Sequence, residues 1–283
     1  MASKFNLAVV VFLVILLKAL NIYATENVAT FDDTGFLWLV NKENKLPQNY
    51  TPVDLVEYRN VRMRIAAKDA FVQMTKAMEQ DNVYGLKLQS GYRSFTHQQK
   101  VFDQKKSELL AKGHSAHEAE GLAAKSVQPP GSSEHQLGLA IDVSIDGTLT
   151  QSFGETTEGK WLEKNCHNYG FIIRYPCNKT DITQIIYEPW HLRYVGSPHS
   201  TIMKNLELTL EEYLIYIKQV RSYIFWTNAT EYYILSHYDN TLCALPALLE
   251  SISSLSFAGN DYVVTMRKTY PVVSNLDTKK HEK

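Results

Sequence analysis

Apolar and polar side chains recur along the chain with spacings that predict helices separated by short strands. Between residues 67 and 78 the apolar positions are three and four apart, as expected for a helix with one buried face. A second helix is predicted over residues 94–112, and Gly113 ends it. Ser115 and Glu118 then have the spacing of a capping box at the start of a third helix.

Short apolar runs between the helices predict strands. The predicted strands and extended segments are residues 86–89, 139–144, 171–175, 185–187 and 192–195. Further helices are predicted over 161–168 and 210–218, and Thr209 and Glu212 cap the second. Beyond residue 219 the pattern changes to short β-rich runs, at residues 223–226, 232–235 and 262–266. These runs predict a small β-rich appendage.

The N-terminus carries a short and uninterrupted apolar run. Lys4 precedes the apolar residues 7–17 and Lys18 follows them. The run is shorter than the roughly 20 residues that span a bilayer, and the small residue Ala24 fits a cleaved secretory signal peptide. The alternative is an uncleaved anchor, in which Lys18 reaches the interface and residues 19–23 complete the span. Both interpretations predict export of the rest of the chain.

The pattern divides the chain into three parts. We expect a signal peptide or N-terminal membrane anchor at 1–24, a main domain at 25–218 and a small β-rich C-terminal extension at 219–283. The 283 residues are 45% hydrophobic, which is enough to bury a core, and 11% aromatic, which argues against disorder. A formal net charge of −1 excludes a basic surface for nucleic acid.

Cysteine and serine patterns narrow the chemistry. Three cysteines are too few for a disulfide-built scaffold, and the chain has no Cys-x-x-Cys pair. We favour free thiols at Cys166, Cys177 and Cys243, with a Cys166–Cys177 bridge as the alternative. Neither a Ser-x-x-Lys nor a Gly-x-Ser-x-Gly motif occurs, so the sequence offers no recognisable serine nucleophile.

One of the nine histidines stands close to an aspartate at the predicted strand 139–144. His135 lies at the mouth of that strand, and Asp142 lies within it between apolar neighbours. An ionised carboxylate in such a position is costly unless a positive group meets it. The sequence allows either a metal ion or an arginine in that role.

A second histidine, His191, follows Glu188 by three residues. On a regular strand these side chains would point to opposite faces, but Pro189 favours a bend or bulge that brings both into one cleft. Two histidines and one carboxylate suit a catalytic zinc site, which leaves a fourth position for water. The alternative is a set of buried structural residues.

These residues belong to a series of motifs that resembles the VanY-type D-alanyl-D-alanine carboxypeptidases. The central motifs are Ser133-x-His135-x-x-Gly138-x-Ala140-x-Asp142 and Glu188-x-x-His191. Further blocks follow in the family's order between about Trp38 and Lys218: residues 90–94, 130–135, 159–161, 169–176 and 187–196. A weaker echo lies around residues 259–265. The resemblance implies an α+β fold of the Hedgehog/DD-peptidase type, a small antiparallel sheet flanked by helices.

The resemblance also implies a role for individual residues of the main domain. The zinc (Zn²⁺) ligands of the family fall on His135, Asp142 and His191. The general base falls on Glu188, the arginine that polarises the substrate carbonyl on Arg93, and residues that line the substrate pocket on Gln98 and Ser133. Residues 25–218 are therefore expected to form a zinc D,D-carboxypeptidase domain.

One departure from the family pattern is visible. The family usually has Thr-Gly-Ile before the glutamate block, and this chain has Thr183-Gln184-Ile185, so one wall of the pocket is expected to differ. Arg174 and Arg193 are predicted to be structural or rim charges, and Trp190 is predicted to be a wall of the cleft or part of the core.

The function that the resemblance implies is an exported zinc metallocarboxypeptidase. It would remove the terminal D-Ala from peptidoglycan pentapeptide stems or lipid-linked precursors, and could contribute to vancomycin resistance. One alternative is an L,D-carboxypeptidase that trims tetrapeptide stems, because such relatives share the catalytic residues. Another is a non-catalytic wall-binding module anchored by the β-rich extension. The intact Glu188 argues against the binding module, since a binder needs no base.

Overall fold

The structure, a computed structural model, describes residues 35–238, 252–258 and 261–269. Within this part the chain divides into a larger unit, Phe36–Tyr216, and a smaller unit that begins at Ile217. The predicted N-terminal signal or anchor segment and Cys243 lie outside the described residues. No helix of the described part has the length and apolarity needed to cross a membrane.

The larger unit alternates short strands with helices. Its strands are β1 (Leu55–Tyr58), β2 (Val61–Arg64), β3 (Lys87–Ser90), β4 (Ala140–Ser144), β5 (Phe171–Tyr175) and β6 (Glu188–Tyr194). Its helices are α1 (Ile65–Gln80), α2 (Phe95–Ala111), α3 (Ala116–Ala123), α4 (Thr157–Asn165), α5 (Thr180–Thr183), α6 (His199–Asn205) and α7 (Leu210–Val220), the last of which runs into the smaller unit. Three 3₁₀ turns complete it, at Glu134–Leu137, Gln151–Glu155 and Cys166–Tyr169.

A four-stranded antiparallel sheet with the order β3-β4-β6-β5 forms the centre of the larger unit. Strand β4 is buried along its whole length. Because side chains alternate along a strand, Ile141 and Val143 enter the hydrophobic core while Asp142 points to the opposite face. The sheet therefore presents Asp142 on the face away from the core.

The predicted long helix is confirmed as α1. Its apolar face is buried in the core together with Leu139, Ile141 and Leu192 of the sheet region, and its buried apolar residues are Ala67, Phe71, Met74 and Met78. The predicted α+β class, with a small antiparallel sheet flanked by helices, is likewise confirmed.

Two predicted helix caps are also confirmed. At the start of α3, Glu118 N donates to Ser115 Oγ while Ser115 N donates to Glu118 Oε2. At the start of α7, Thr209 and Glu212 exchange the same pair of hydrogen bonds. These side chains satisfy backbone N–H groups that have no partner within their helix.

One extended segment was predicted wrongly, and the strand next to it is longer than expected. Residues 185–187 are not a strand, because Gln184 ends α5 in the left-handed conformation with a φ of 59° and turns the chain. Backbone N–H groups here bond to other partners, as when Ile186 N donates to Lys125 O at 3.0 Å. The strand begins only at Glu188 and runs without a break to Tyr194.

The bend predicted at Pro189 is confirmed as a β-bulge. Tyr175 of β5 pairs with Glu188, whereas Ile173, two residues earlier, pairs with Leu192, four residues later on β6. The extra residues on β6 interrupt its regular pairing with β5 and bend the strand. Glu188 and His191 are both buried as a result.

The smaller unit contains the predicted β-rich appendage. Its strands are β7 (Ser222–Trp226), β8 (Glu231–Tyr238), β9 (Ile252–Ala258) and β10 (Asp261–Thr269), in the antiparallel order β7-β8-β10-β9. The predicted runs at 223–226, 232–235 and 262–266 all fall within these strands. In the larger unit, Cys166 and Cys177 are free thiols, as favoured from the sequence.

Gly91→Ala should destabilise the protein. An added Cβ at Gly91 would overlap the Arg62 carbonyl and the Val61 side chain of β2, and overpacking of this kind costs about 1–3 kcal/mol. Gly121→Ala in α3 is the matched control, because an added Cβ there meets nothing within 4 Å. The control should be neutral or raise stability by up to about 1 kcal/mol, since alanine favours a helix. Urea unfolding measures both, and equal unfolding free energies would contradict the close packing at Gly91.

Candidate metal centre and active site

Three buried side chains from three elements form a group that could hold a metal ion. His135 lies on the 3₁₀ turn Glu134–Leu137, Asp142 on β4 and His191 on β6. Asp142 and His191 are directly paired across the two strands, so their side chains share one face of the sheet. One ligand atom from each of the three residues lies within 4.8 Å of the others.

The orientation of the two rings suits metal binding. His135 Nε2 lies 3.2 Å from Asp142 Oδ2, and His191 Nδ1 lies 3.2 Å from Asp142 Oδ1. His135 Nδ1 lies 2.7 Å from the Gly91 carbonyl, which can accept only if this nitrogen carries the proton. This bond fixes the tautomer and leaves the Nε2 lone pair facing the cluster, as in histidine ligands of metal sites.

An orphaned buried atom in the cluster is a second sign that the residues fit a metal. Asp142 Oδ1 is buried and forms no hydrogen bond within the described part of the chain. Buried polar atoms are normally paired, so a carboxylate oxygen that faces His191 Nδ1 without forming a hydrogen bond calls for a further partner. The donor set of two nitrogens and one oxygen matches that of catalytic zinc sites.

Arg93 also contacts the cluster. Its Nη2 donates to Asp142 Oδ2 at 2.5 Å, and its Nε donates to Ser90 Oγ at 2.8 Å. The sequence allowed either a metal ion or an arginine beside Asp142. The arginine is present, and the cluster also fits a metal ion. Arg93 follows β3, and Ser90 of that strand pairs with Asp142, so the sheet register sets the contact.

The charges around Asp142 keep it ionised. Burial alone would raise its pKa, but His135, His191 and Arg93 hold the pKa well below its usual range. Burial lowers the pKa of His135 to about 4, so its ring is neutral, as a metal ligand must be. Burial also opposes the charged form of His191, yet the neighbouring carboxylates of Asp142 and Glu134 raise its pKa to about 9. A metal ion bound at this ring would therefore displace a proton from it.

Glu188 faces the cluster without belonging to it. Its side chain is buried, and its Oε2 lies 3.7 Å from His191 Nδ1. Burial and the nearby Asp142 carboxylate raise the pKa of Glu188 to about 8, against the opposing effect of His191. A carboxyl group with a raised pKa beside a metal-competent cluster is suited to accept and return a proton.

All of the predicted site residues line one cavity of about 320 Å³. Its walls include Arg93, Gln98, Ser133, His135, Asp142, Glu188 and His191. Trp190 and Tyr175 line the same cavity, and Trp190 also belongs to the hydrophobic core, so both predicted roles of Trp190 apply. Ile185 also lines it, which places the segment after the Gln184 departure at the cavity wall, as expected from the sequence.

Gln98 supports Arg93 as well as lining the cavity. Gln98 Nε2 donates to the Gln128 carbonyl at 2.6 Å, and Arg93 Nη1 donates to Gln98 Oε1 at 3.4 Å. Both ends of the Gln98 amide are therefore bonded to protein groups. Ser133 is buried at the mouth of the turn that carries His135.

The sequence reasoning missed Glu134, which is completely buried beside the cluster. Arg174 Nε donates to its Oε1 at 2.8 Å, and Arg193 NH1 lies 2.8 Å from the same oxygen. Both arginines were predicted to be structural or rim charges. They are buried, so they are structural charges. The sequence contains one signal for this pairing, an arginine inside each of the apolar runs 171–175 and 188–194. An arginine that is buried with such a run requires a buried carboxylate as its partner.

Comparison with known proteins agrees with the fold and the site. The family described as VanY, D-alanyl-D-alanine carboxypeptidase, matches residues 60–197. The chain is 43% identical over 199 residues to YodJ of Bacillus subtilis (strain 168), named as a carboxypeptidase, a match that covers 66% of this chain and 69% of YodJ. It is 41% identical to a D-alanyl-D-alanine carboxypeptidase of Enterococcus faecalis (strain ATCC 700802 / V583), over 63% of this chain and 65% of that protein.

Several proteins of known structure are similar to this chain. A vancomycin resistance D,D-pentapeptidase VanY, in complex with Zn(II), is 40% identical with a TM-score of 0.58, over 64% of this chain and 99% of that chain. VanYB has also been solved with D-alanine-D-alanine, at 40% identity and a TM-score of 0.58 over 63% and 97% of the two chains. The LD-carboxypeptidase LdcB is 42% identical with a TM-score of 0.57, over 64% of this chain and 86% of that chain.

Fold and site together define the class of the protein. It is a Hedgehog/DD-peptidase-like hydrolase with a buried His-Asp-His cluster in its cleft. Within this class, the chain belongs to the VanY family of D-alanyl-D-alanine carboxypeptidases.

His135→Ala should abolish stoichiometric retention of a divalent metal ion, because the two remaining side chains provide too few ligands. His97→Ala is the matched control, since His97 is exposed on α2 and does not line the cavity. Elemental analysis after gel filtration measures the metal content of both variants. Equal metal content in His135→Ala and His97→Ala would show that the cluster is not the binding site.

Proposed function

We propose that the chain is an exported, zinc-dependent D-alanyl-D-alanine carboxypeptidase that removes the terminal D-Ala from peptidoglycan pentapeptide stems or their lipid-linked precursors. The observation that carries the proposal is one cavity lined by a metal-competent cluster, a separate buried carboxylate and an arginine. VanYB, solved with D-alanine-D-alanine, supports the substrate, and the VanY neighbour named for vancomycin resistance supports a contribution to glycopeptide resistance.

Zinc is the metal that the cluster fits best. Catalytic zinc sites use three nitrogen or oxygen ligands and keep one position open, and His135, Asp142 and His191 are such a set. A VanY neighbour solved with Zn(II) supports the same metal. When bound, zinc supplies Lewis-acid chemistry, which makes water more acidic and polarises a carbonyl group.

Glu188 is the general base and acid of the proposed reaction. Its carboxylate takes the proton of the attacking water and then delivers a proton to the amine of the departing D-Ala. Its position outside the ligand set, 3.7 Å from His191 Nδ1, leaves it available for this transfer. Burial limits access of bulk water to the same group.

Arg93 stabilises the negative charge that develops on the substrate carbonyl oxygen. It is a fixed cation in the cavity wall, held by Asp142, Ser90 and Gln98, and such preorganised donors stabilise an oxyanion without a large rearrangement. Gln98 and Ser133 line the same cavity, where they help to receive the end of the peptide.

Export is supported by the apolar run at residues 7–17 and by the location of the proposed substrate. A signal peptide or a retained anchor would place the domain on the outer side of the cell membrane or in the cell wall. The retained anchor would also associate the protein with the membrane. The β-rich extension alone would serve a wall-binding module, but the complete site in the larger unit favours an enzyme.

L,D-carboxypeptidase activity is the second candidate function. LdcB, named as an LD-carboxypeptidase, is as similar to this chain as the solved VanY protein, at 42% against 40% identity. Mass spectrometry after incubation with pentapeptide and tetrapeptide stems separates the two activities. The proposal requires D-Ala release from the pentapeptide, and release from the tetrapeptide alone would establish the L,D activity instead.

Glu188→Gln should retain zinc and lose most turnover. The amide has nearly the same shape but cannot accept the proton of water, so kcat should fall by at least about 10²-fold. Glu163→Gln is the matched control, since Glu163 is exposed on α4 and does not line the cavity. Steady-state release of D-Ala together with zinc analysis measures the effect. A zinc-loaded Glu188→Gln enzyme with near wild-type kcat would assign the base to another residue.

Amidation of the substrate C-terminus should lower kcat/KM by more than about tenfold. A carboxypeptidase site provides buried donors for the free carboxylate, and a buried donor left unpaired costs about 1–3 kcal/mol. Rates on free and amidated pentapeptides of the same sequence provide the comparison. Equal rates on the two peptides would indicate an endopeptidase.

A further inference from the structure

Two buried polar atoms without partners face each other behind the metal-competent cluster. Glu134 Oε2 and His191 Nε2 are both buried, and neither forms a hydrogen bond with any described residue. They lie 3.8 Å apart, and they are complementary, since a carboxylate oxygen accepts what an imidazole N–H donates. A small decrease in this distance would allow the two atoms to form a hydrogen bond, which would satisfy both.

Glu134 is held firmly enough to serve as a fixed acceptor. Its other oxygen, Oε1, is engaged by Arg174 Nε and Arg193 NH1, each at 2.8 Å. Arg174 is in turn bound by both carboxylate oxygens of Glu211 on α7, at 2.8 and 2.6 Å. The guanidinium of Arg193 donates to the carbonyls of residues 36 and 38, at 2.9 Å each. These contacts leave Oε2 directed at the His191 ring.

The opposite side of the His191 ring carries the candidate ligand atom. His191 Nδ1 lies 3.2 Å from Asp142 Oδ1, within the cluster. An imidazole can bind a metal through Nδ1 only when its proton is on Nε2. A carboxylate that accepts the Nε2 proton fixes that tautomer and makes the ring a stronger ligand.

We propose that Glu134 is a positioning residue that accepts the Nε2–H of His191 and thereby sets His191 to bind zinc through Nδ1. This inference rests on the proposed zinc-dependent function and adds a residue to its machinery. His135 is oriented in the same way by a neutral backbone carbonyl, that of Gly91. The two histidines therefore differ, because only His191 is backed by a charged acceptor.

Glu134→Gln tests the proposal, with Glu211→Gln as the matched control. In Glu134→Gln the single amide oxygen is drawn to the arginines, so the NH₂ group faces His191 and disfavours its Nε2–H tautomer. Glu211→Gln also removes a carboxylate from Arg174 but leaves Glu134 facing His191. We expect zinc affinity, measured by chelator competition, to fall by about 10–100-fold in Glu134→Gln and to stay near wild type in Glu211→Gln. Equal losses in both variants would assign Glu134 a purely structural role and overturn the proposal.

A measurement on the unaltered protein covers the case in which Glu134→Gln does not fold. Nitrogen-15 NMR of the zinc-loaded wild type reports the protonation state of each ring nitrogen. The expected result is a slowly exchanging Nε2–H on His191 with zinc on Nδ1, and the reverse arrangement on His135. Zinc on His191 Nε2 would overturn this inference alone, whereas a wild type that binds no zinc would overturn it together with the proposed function.

Discussion

The structure is organised around a costly requirement, the burial of the ionised Asp142 carboxylate at the centre of a sheet. Burial by itself favours the neutral acid, and the surrounding His135, His191 and Arg93 reverse that preference. These three come from a turn, from β6 and from the segment after β3, which the order β3-β4-β6 brings together. No single segment forms the site, so the sheet register is as important as the residues themselves.

Glu134 is a second buried carboxylate, and it too is surrounded by positively charged side chains. It is adjacent in sequence to His135, and it pairs with Arg174 of β5 and Arg193 of β6, while Arg174 also holds Glu211 of α7. Loss of the completely buried Glu134 carboxylate would leave an uncompensated charge on Arg193, which is strongly destabilising. Through Arg174, the network also links Glu134 to Glu211 of α7.

The sequence predicted the features that depend on local pattern. The period of α1, the capping boxes and the bulge at Pro189 follow from spacing and residue type, and they agree with the structure. Residues 185–187 were assigned to an extended segment because their apolar run hides the turn at Gln184. The sequence could not show that Glu134 pairs with arginines about 40 and 60 residues later, since contacts between distant residues produce no periodic pattern along the chain.

We propose that the cluster, once loaded with zinc, enables the protein to hydrolyse peptides that end in D-Ala-D-Ala. The most direct test is a titration of metal-free protein with zinc, followed by measurement of D-Ala release from a pentapeptide stem. We expect no release without metal and a linear rise that ends near one zinc per chain, because one cluster of three ligands is found in the described residues. Full D-Ala release by protein that elemental analysis shows to be free of metal would contradict it.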